Sequence, residues 1–419
     1  MNVEMKVLFV CTDDYPFTGA CTSLLRNMFF EGKLAEKISQ LDVLTVKYRL
    51  DDIDKVLDKG INVHRILSWQ FIYVDEIRKK IKKHPFLSLF GVFQKALLVC
   101  NRRLFPHNYF NPPTVRAFLR GLNKVNALQY QAIVAVGGDF HAVEAVRRYI
   151  KNHHDPRFIL YQVDPCYSKM TESSVTLNSR KKFECQVYSS ADLVLTTPII
   201  RNEAAHNHCK PYVHKFVAIE FPNVTKYYAN YLQQKRNSKK DKTIMCLFAG
   251  SIYSNIRDPQ YTLELFKKLN NDHLRLILVG VRKEQLPEEY NTDWIQCMGV
   301  RSLDETRDMI ANADLLVNIG NAMKNQVPSK LFEYISTGLP IVNIYKNENC
   351  PSLQYMDKYP CAINLIEDPQ KMNLNAVNLK NFICTYAGRQ SNIEEILQIY
   401  ARCTPEYCAD QMLKAIAEN

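Results

Sequence analysis

Glycine is scarce in this sequence, with 13 among 419 residues, roughly 3 % against a usual share of about 7 %. That excludes collagen-like, low-complexity and glycine-looped repeat architectures. Each remaining glycine then marks a place where the backbone has reason to need one. Long apolar runs are missing too: no stretch approaches the ~18 residues that span a bilayer. The 13 cysteines form neither CxxC pairs nor a zinc-like Cys/His spacing. An odd number of scattered thiols reads as the buried, reduced cysteines of a cytosolic protein. The opening Met1-Asn2-Val3-Glu4-Met5-Lys6-Val7 holds an acid and no long apolar core, so no signal peptide is expected. The expected location is the cytoplasm, with a peripheral site at the inner membrane face kept open.

What is present points to an ordered chain. At 47 % apolar residues it is too hydrophobic for disorder, and 419 residues imply two or three domains at about 150 residues each. Lys and Arg outnumber Asp and Glu by 54 to 43, a net +11 that suits an anionic partner: phosphate, nucleic acid or lipid.

Buried parallel-type strands are expected at Val7–Cys11, Ala132–Val136, Phe158–Tyr161 and Leu193–Thr196, with helical segments between most of them. A polar, basic break from Gln233 to Lys242 reads as a linker. A second series follows at Ile244–Phe248, Leu274–Val279, Trp294–Met298, Leu315–Ile319 and Ile341–Ile344, then a helical tail from Asn392 with a second helix over Glu406–Ala417. Alternating strands and helices imply an α/β fold of two Rossmann-like domains with parallel sheets facing a cleft. The boundaries read as 1–225, 242–390 and a tail at 391–419 that crosses back toward the first domain. Gly250, Gly280, Gly299 and Gly320 each fall within two residues of a strand's carboxyl end, where open α/β sheets bind ligands. Tight-turn chemistry alone accounts for some of them.

The most informative stretch is Asn318–Val342. A strand ends at Gly320, a loop runs to Pro328, and a helix follows with Pro in its first turn. Ser329 and Lys330 stand at that helix's positive end, an anion site suited to a diphosphate. Glu333 lies one turn on, Gly338 caps the helix, and Pro340 opens the next strand. This segment resembles the nucleotide-sugar signature of GT-B glycosyltransferases, in particular the retaining group resembling glycosyltransferase family 4. The likeness is good from about Thr243 to Asp368 and only outlined before that. In that family two glutamates with seven residues between them frame the loop and helix. Glu333 matches the second, which grips the ribose hydroxyls. Asn325, eight positions before Glu333, stands where the first would support the donor sugar, and it brings hydrogen bonds without charge.

The resemblance implies a GT-B fold and metal-independent transfer with retention from a nucleotide-sugar to a glycan or lipid-linked acceptor, with no cofactor. Gly250 and Ser251, followed by Arg257, match the family's first strand and loop of the donor domain. Arg257 is a diphosphate candidate, a solvated surface arginine being the plain alternative. The donor set is then Gly19, Gly250, Ser251, Arg257, Gln326, Val327, Pro328, Ser329, Lys330 and Glu333. Near the reacting carbon the candidates are Asn325, His141 (or its neighbour Asp139) after one N-terminal strand, and Asp164 after the next. Turn and cap chemistry explains Asp164 equally well, as helix capping explains Thr22 beside Gly19. The basic run Ile77–His84 beside the apolar Phe86–Val99 suits an interfacial helix on anionic lipid or, equally, a buried helix with a solvated flank. Nucleic acid is not an expected partner, because no RRM, KH or zinc-finger pattern occurs and aromatics are not interleaved with the basic run. Two other readings stay open: an inactive GT-B scaffold, kept by Asn325, and a nucleotide-sugar epimerase.

Overall fold

The computed structural model describes residues 3–17, 19–49, 52–68, 112–138, 140–151, 153, 155–166, 174–228, 230–231, 243–252, 256–290 and 292–418. The chain divides into two units, Met1–Pro222 with Pro405–Asn419, and Asn223–Thr404.

The first unit contains β1 (Val3–Val10), α1 (Ala20–Arg26), β2 (Ile38–Lys47), β3 (Lys55–Asp58), β4 (Ile61–Leu67), α2 (Pro112–Lys124), β5 (Ala132–Gly137), α3 (His141–Ile150), β6 (Arg157–Gln162), α4 (Ser174–Ser190), β7 (Leu193–Thr196), α5 (Pro198–Ala205) and β8 (Phe216–Ala218). Its strands form one sheet in the order β3-β4-β2-β1-β5-β6-β7-β8. All pairings are parallel except the edge hairpin β3–β4. Val7 of β1 stands opposite Leu41 of β2 on one side and Ala132 of β5 on the other. Strands buried on both faces must be apolar, and Val7–Val10 of β1 and the whole of β5 are. Leu8, Phe118, Phe140, Val143, Phe158 and Val187 make part of one continuous core between the sheet and its helices.

The second unit contains β9 (Ile244–Ala249), α6 (Gln260–Lys268), β10 (Leu274–Val279), β11 (Ile295–Gly299), α7 (Leu303–Asn312), β12 (Leu315–Ile319), α8 (Lys330–Ile335), β13 (Ile341–Tyr345), β14 (Ala362–Ile366), α9 (Met372–Tyr386) and α10 (Ile393–Ile399). Its six strands are all parallel, in the order β11-β10-β9-β12-β13-β14. Counted from β9 this is 3-2-1-4-5-6, the doubly wound order of dinucleotide-binding sheets. The chain direction of the crossovers reverses between β9 and β12. The tail divides at Pro405. Tyr400, just after α10, donates its hydroxyl to the Tyr355 carbonyl at 2.5 Å. α11 (Pro405–Ala417) instead lies on the first unit, where Lys37 meets Asp410 at 2.6 Å and Arg157 donates to the Ala415 carbonyl at 3.1 Å. The segment 77–103, expected to carry any membrane contact, and the linker at 233–242 lie outside the described residues. Among the described residues no helix is long and apolar enough to cross a membrane.

One buried ion pair shapes the loop after β1. Arg65 of β4 donates through Nε at 3.0 Å and Nη2 at 2.7 Å to Asp14 Oδ1, and both side chains are buried. Removing one partner of a buried pair leaves an uncompensated charge. We expect Arg65→Met to destabilise the chain by about 3–5 kcal/mol in chemical denaturation, with Asp14→Asn added to it recovering part of the loss. A loss below about 1 kcal/mol would show the pair to be dispensable.

Candidate active site

Ligands of open α/β sheets sit outside the carboxyl ends of the strands where the order reverses. In the second unit that place lies past Ala249 of β9 and Ile319 of β12, and the two loops there are bound to one another. The Ala322 amide donates to the Ile256 carbonyl at 2.8 Å. Arg257 donates through Nε at 3.1 Å and Nη2 at 2.7 Å to Asn321 Oδ1, and through Nη1 at 3.4 Å to the Ser251 carbonyl. Asn321 passes the link on through Nδ2 to Gln326 Oε1 at 3.3 Å. Arg257 is therefore no solvated surface side chain. Its guanidinium is held at the switch point by the Asn321 side-chain amide oxygen and the Ser251 carbonyl, which help fix its plane.

The strand ends themselves approach closely. The Gly250 amide donates to the Val279 carbonyl at 2.9 Å. Gly280 has φ +87°, and a Cβ there would stand 2.6 Å from the Gly250 carbonyl oxygen, so no larger residue is accommodated.

α8 supplies the second half of the site. It is short, starting at Lys330, and Ser329 has helical backbone angles without a side-chain cap. Val327 and Pro328 are buried, while Asn325, Gln326, Ser329, Lys330 and Glu333 are partly exposed. Lys330 Nζ donates to Glu333 Oε2 at 2.6 Å, and the Tyr228 hydroxyl donates to the same oxygen at 3.1 Å. Burial, with the Glu333 charge second, holds the Tyr228 phenol well above its ordinary range, so it remains a donor. The residues before Tyr228 are anchored on the end of α8. The Thr225 amide donates to Ser336 Oγ at 3.0 Å, and Ser336 Oγ donates to the Asn223 carbonyl at 2.9 Å. Tyr334, fully buried in α8, accepts the Ala249 amide at 2.6 Å and so ties the helix to the end of β9. Burial raises its phenol, the Glu333 charge raises it further and the Arg257 charge lowers it, so both groups act on this one side chain.

The first unit has its own switch point, between β1 and β5. Gly19, at φ +119°, packs against Asp13: a Cβ there would overlap the carboxylate at 2.1 Å. Asp13 Oδ2 accepts the amides of Cys21 at 2.7 Å and Thr22 at 3.2 Å, so a carboxylate of the chain already caps α1. A Cβ on Gly138 would come within 2.8 Å of Cys21 Sγ, which places the loop after β5 beside α1. Asp164 follows β6 and adds its charge to those raising the Cys21 thiol, burial being the largest cause. Burial likewise pushes Cys11 up to about 12, so both thiols are neutral and non-nucleophilic near neutral pH. His141 is the first residue of α3. Asp139 lies outside the described residues.

The structure thus links Arg257 with Ser251 and, through Asn321, with Gln326, and it pairs Lys330 with Glu333. Gly19, His141 and Asp164 belong to the other unit. Sequence reading passed over Tyr228, Asn321, Tyr334 and Asp13. Asn321 and Tyr334 lie inside the stretch it singled out. Tyr228 is 105 residues from its partner, and no local pattern marks it.

Residues 243–353 match the family model described as Glycosyl transferases group 1. No match is found among curated proteins. Among solved structures, one from E. coli described as trehalose-6-phosphate bound with UDP-2-fluoro glucose superposes with a TM-score of 0.62 at 12 % identity, covering 99 % of each chain. An α,α-trehalose 6-phosphate synthase from Burkholderia multivorans gives 0.61 at 11 % identity, covering 99 % of this chain and 96 % of that one. A UDP-N-acetylglucosamine 2-epimerase from Listeria monocytogenes gives 0.52 at 10 %, with 99 % and 96 % covered. At such identities the likeness shows the two-domain Rossmann-like fold and leaves each relative's chemistry its own. With the group 1 match at residues 243–353, the chain is a glycosyltransferase of the GT-B fold.

Proposed function

We propose that this enzyme binds its nucleotide-sugar donor on the 223–404 unit and transfers the glycosyl group, with retention, to a glycan or lipid-linked acceptor in surface polysaccharide or glycoconjugate synthesis. The observation that carries the donor site is the doubly held carboxylate of Glu333. Oε2 accepts from Lys330 and Tyr228, and Oε1 is the oxygen we assign to the two hydroxyls of a ribose. Arg257 and Lys330, the latter paired with Glu333, are the cations we assign to offset the diphosphate as it departs. That role needs no metal, in keeping with a reaction driven by leaving-group electrostatics and positioning. Gly250, Ser251 and the run Gln326-Val327-Pro328-Ser329 line the donor, and Asn325 orients its sugar. In the first unit Gly19 completes the proposed donor set, and His141 and Asp164 are the proposed polar groups for the acceptor and the reacting carbon. A peripheral contact with anionic lipid, through the basic and apolar segment at 77–99, belongs to the same proposal.

Titration calorimetry with a panel of UDP-, GDP- and CDP-sugars tests the donor site. Glu333→Ala is expected to weaken the preferred donor by about 10- to 100-fold, the scale of hydrogen bonds to a charged group. Unchanged affinity sinks the assignment, and no binding of any donor by the unaltered chain favours the scaffold reading that Asn325 keeps open. Tyr228→Phe removes one of the two bonds that hold Glu333 and should weaken donor binding by about 2- to 10-fold, with folding retained.

Arg257→Lys keeps the charge but loses the planar fork held by Asn321. Steady-state kinetics should show kcat falling more than KM rises, because the charge is needed most as the diphosphate leaves. Equal kcat in the variant would place Arg257 outside the reaction.

A further inference from the structure

We propose that Cys185, His208 and Cys209, supported by Glu184, form a binding site for a thiolate-preferring divalent cation of the zinc type, which staples α4 to the loop between α5 and β8. One ligand atom from each of Cys185, His208 and Cys209 lies within 4.8 Å of the others. Zinc–sulfur bonds of about 2.3 Å and zinc–nitrogen bonds of about 2.0 Å place neighbouring ligands of a tetrahedral site less than 4 Å apart, so a small contraction closes the cluster on a cation. Glu184 supplies the support that metal-binding histidines usually have, a carboxylate on the ring. Its Oε2 lies 2.9 Å from His208 Nε2 and 3.3 Å from Cys209 Sγ, so the cation would be bound through His208 Nδ1 while Nε2–H is held by the carboxylate. The carboxylate is oriented in turn by the Tyr188 hydroxyl, 2.9 Å from Oε1. Cys209 and Glu184 are buried, whereas Cys185 and His208 are partly exposed, which leaves a path of entry.

Two thiolates neutralise a doubly charged cation, and binding releases two thiol protons. Three protein ligands leave a fourth position for water, but nothing in the cluster marks a substrate, and the inference is of a structural tie. α4 and the 206–209 loop are joined by hydrogen bonds at this place already, since Cys185 Sγ donates to the His208 carbonyl at 3.9 Å. A cation would replace those weak links with coordinate bonds. The spacing escapes a sequence scan because the ligands come from two elements, and Glu184 is 24 residues from His208.

The test uses the full chain, reduced, stripped with a chelator and titrated with Co2+, then with Zn2+ in competition. Expected are one bound Co2+ per chain, visible bands of tetrahedral coordination with a near-ultraviolet thiolate-to-cobalt band, and loss of both on adding Zn2+. His208→Ala, and Cys185→Ser combined with Cys209→Ser, should each weaken Co2+ by more than about tenfold. Zn2+ should raise the melting temperature of the unaltered chain and not that of the variants. Absence of the thiolate band, or bands of equal strength in the double variant, overturns the proposal. Should the double variant fail to fold, Cys185→Ser alone, at a partly exposed position, decides it by the same spectrum.

Discussion

The pairing of β9 with β10 on one side and β12 on the other is the constraint from which the candidate donor site follows. Each right-handed crossover carries the chain to one face of the sheet, so the loops leaving β9 and β12 diverge and open a crevice between them. Arg257 comes from the first loop, Asn321 from the second, and their hydrogen bonds join what the topology separates. α8 follows the second loop and returns Tyr334 to the end of β9. Lys330 and Glu333 are thereby held on a short helix whose other face is core, with Leu331, Phe332, Tyr334 and Ile335 all buried.

The first unit repeats the topology and differs in its electrostatics. Its switch point also follows the central strand, yet the amides of Cys21 and Thr22 are already bonded to Asp13. The carboxylates of Asp13 and Asp164 are the charges felt by Cys21 here, whereas Arg257 and Lys330 are the cations at the second unit's switch point. An anionic diphosphate is better matched by the second arrangement.

Much of the fold was legible because buried parallel strands must be apolar throughout. β5, β6, β7 and β9 to β13 all lie within a residue or so of the runs read from the sequence, and β1 starts at Val3, before the Val7–Cys11 run, because Glu4 and Lys6 hide its first half. β2 was missed because Asp42, Thr45 and Lys47 interrupt its pattern. Each is buried with a partner outside the strand: Asp42 accepts from the Tyr130 hydroxyl, Thr45 donates to the Asp13 carbonyl, and Lys47 pairs with Asp54. Short edge elements such as β3 and β8 hold too few residues to show a period. β14 has a half-buried pattern, since it stands at the edge of its sheet.

The sequence by itself determined the α/β class, the two series of strands, and a stretch whose proline, lysine and glutamate stand at helical spacing. Those are local properties, set by burial of consecutive residues and by the stereochemistry of proline and glycine. Only the tertiary structure decided what holds the charged groups of that stretch. Tyr228 reaches Glu333, and Arg257 reaches Asn321, across 105 and 64 residues of chain. Hydrogen bonds are made over a few ångströms of space, and separation along the chain carries no record of them.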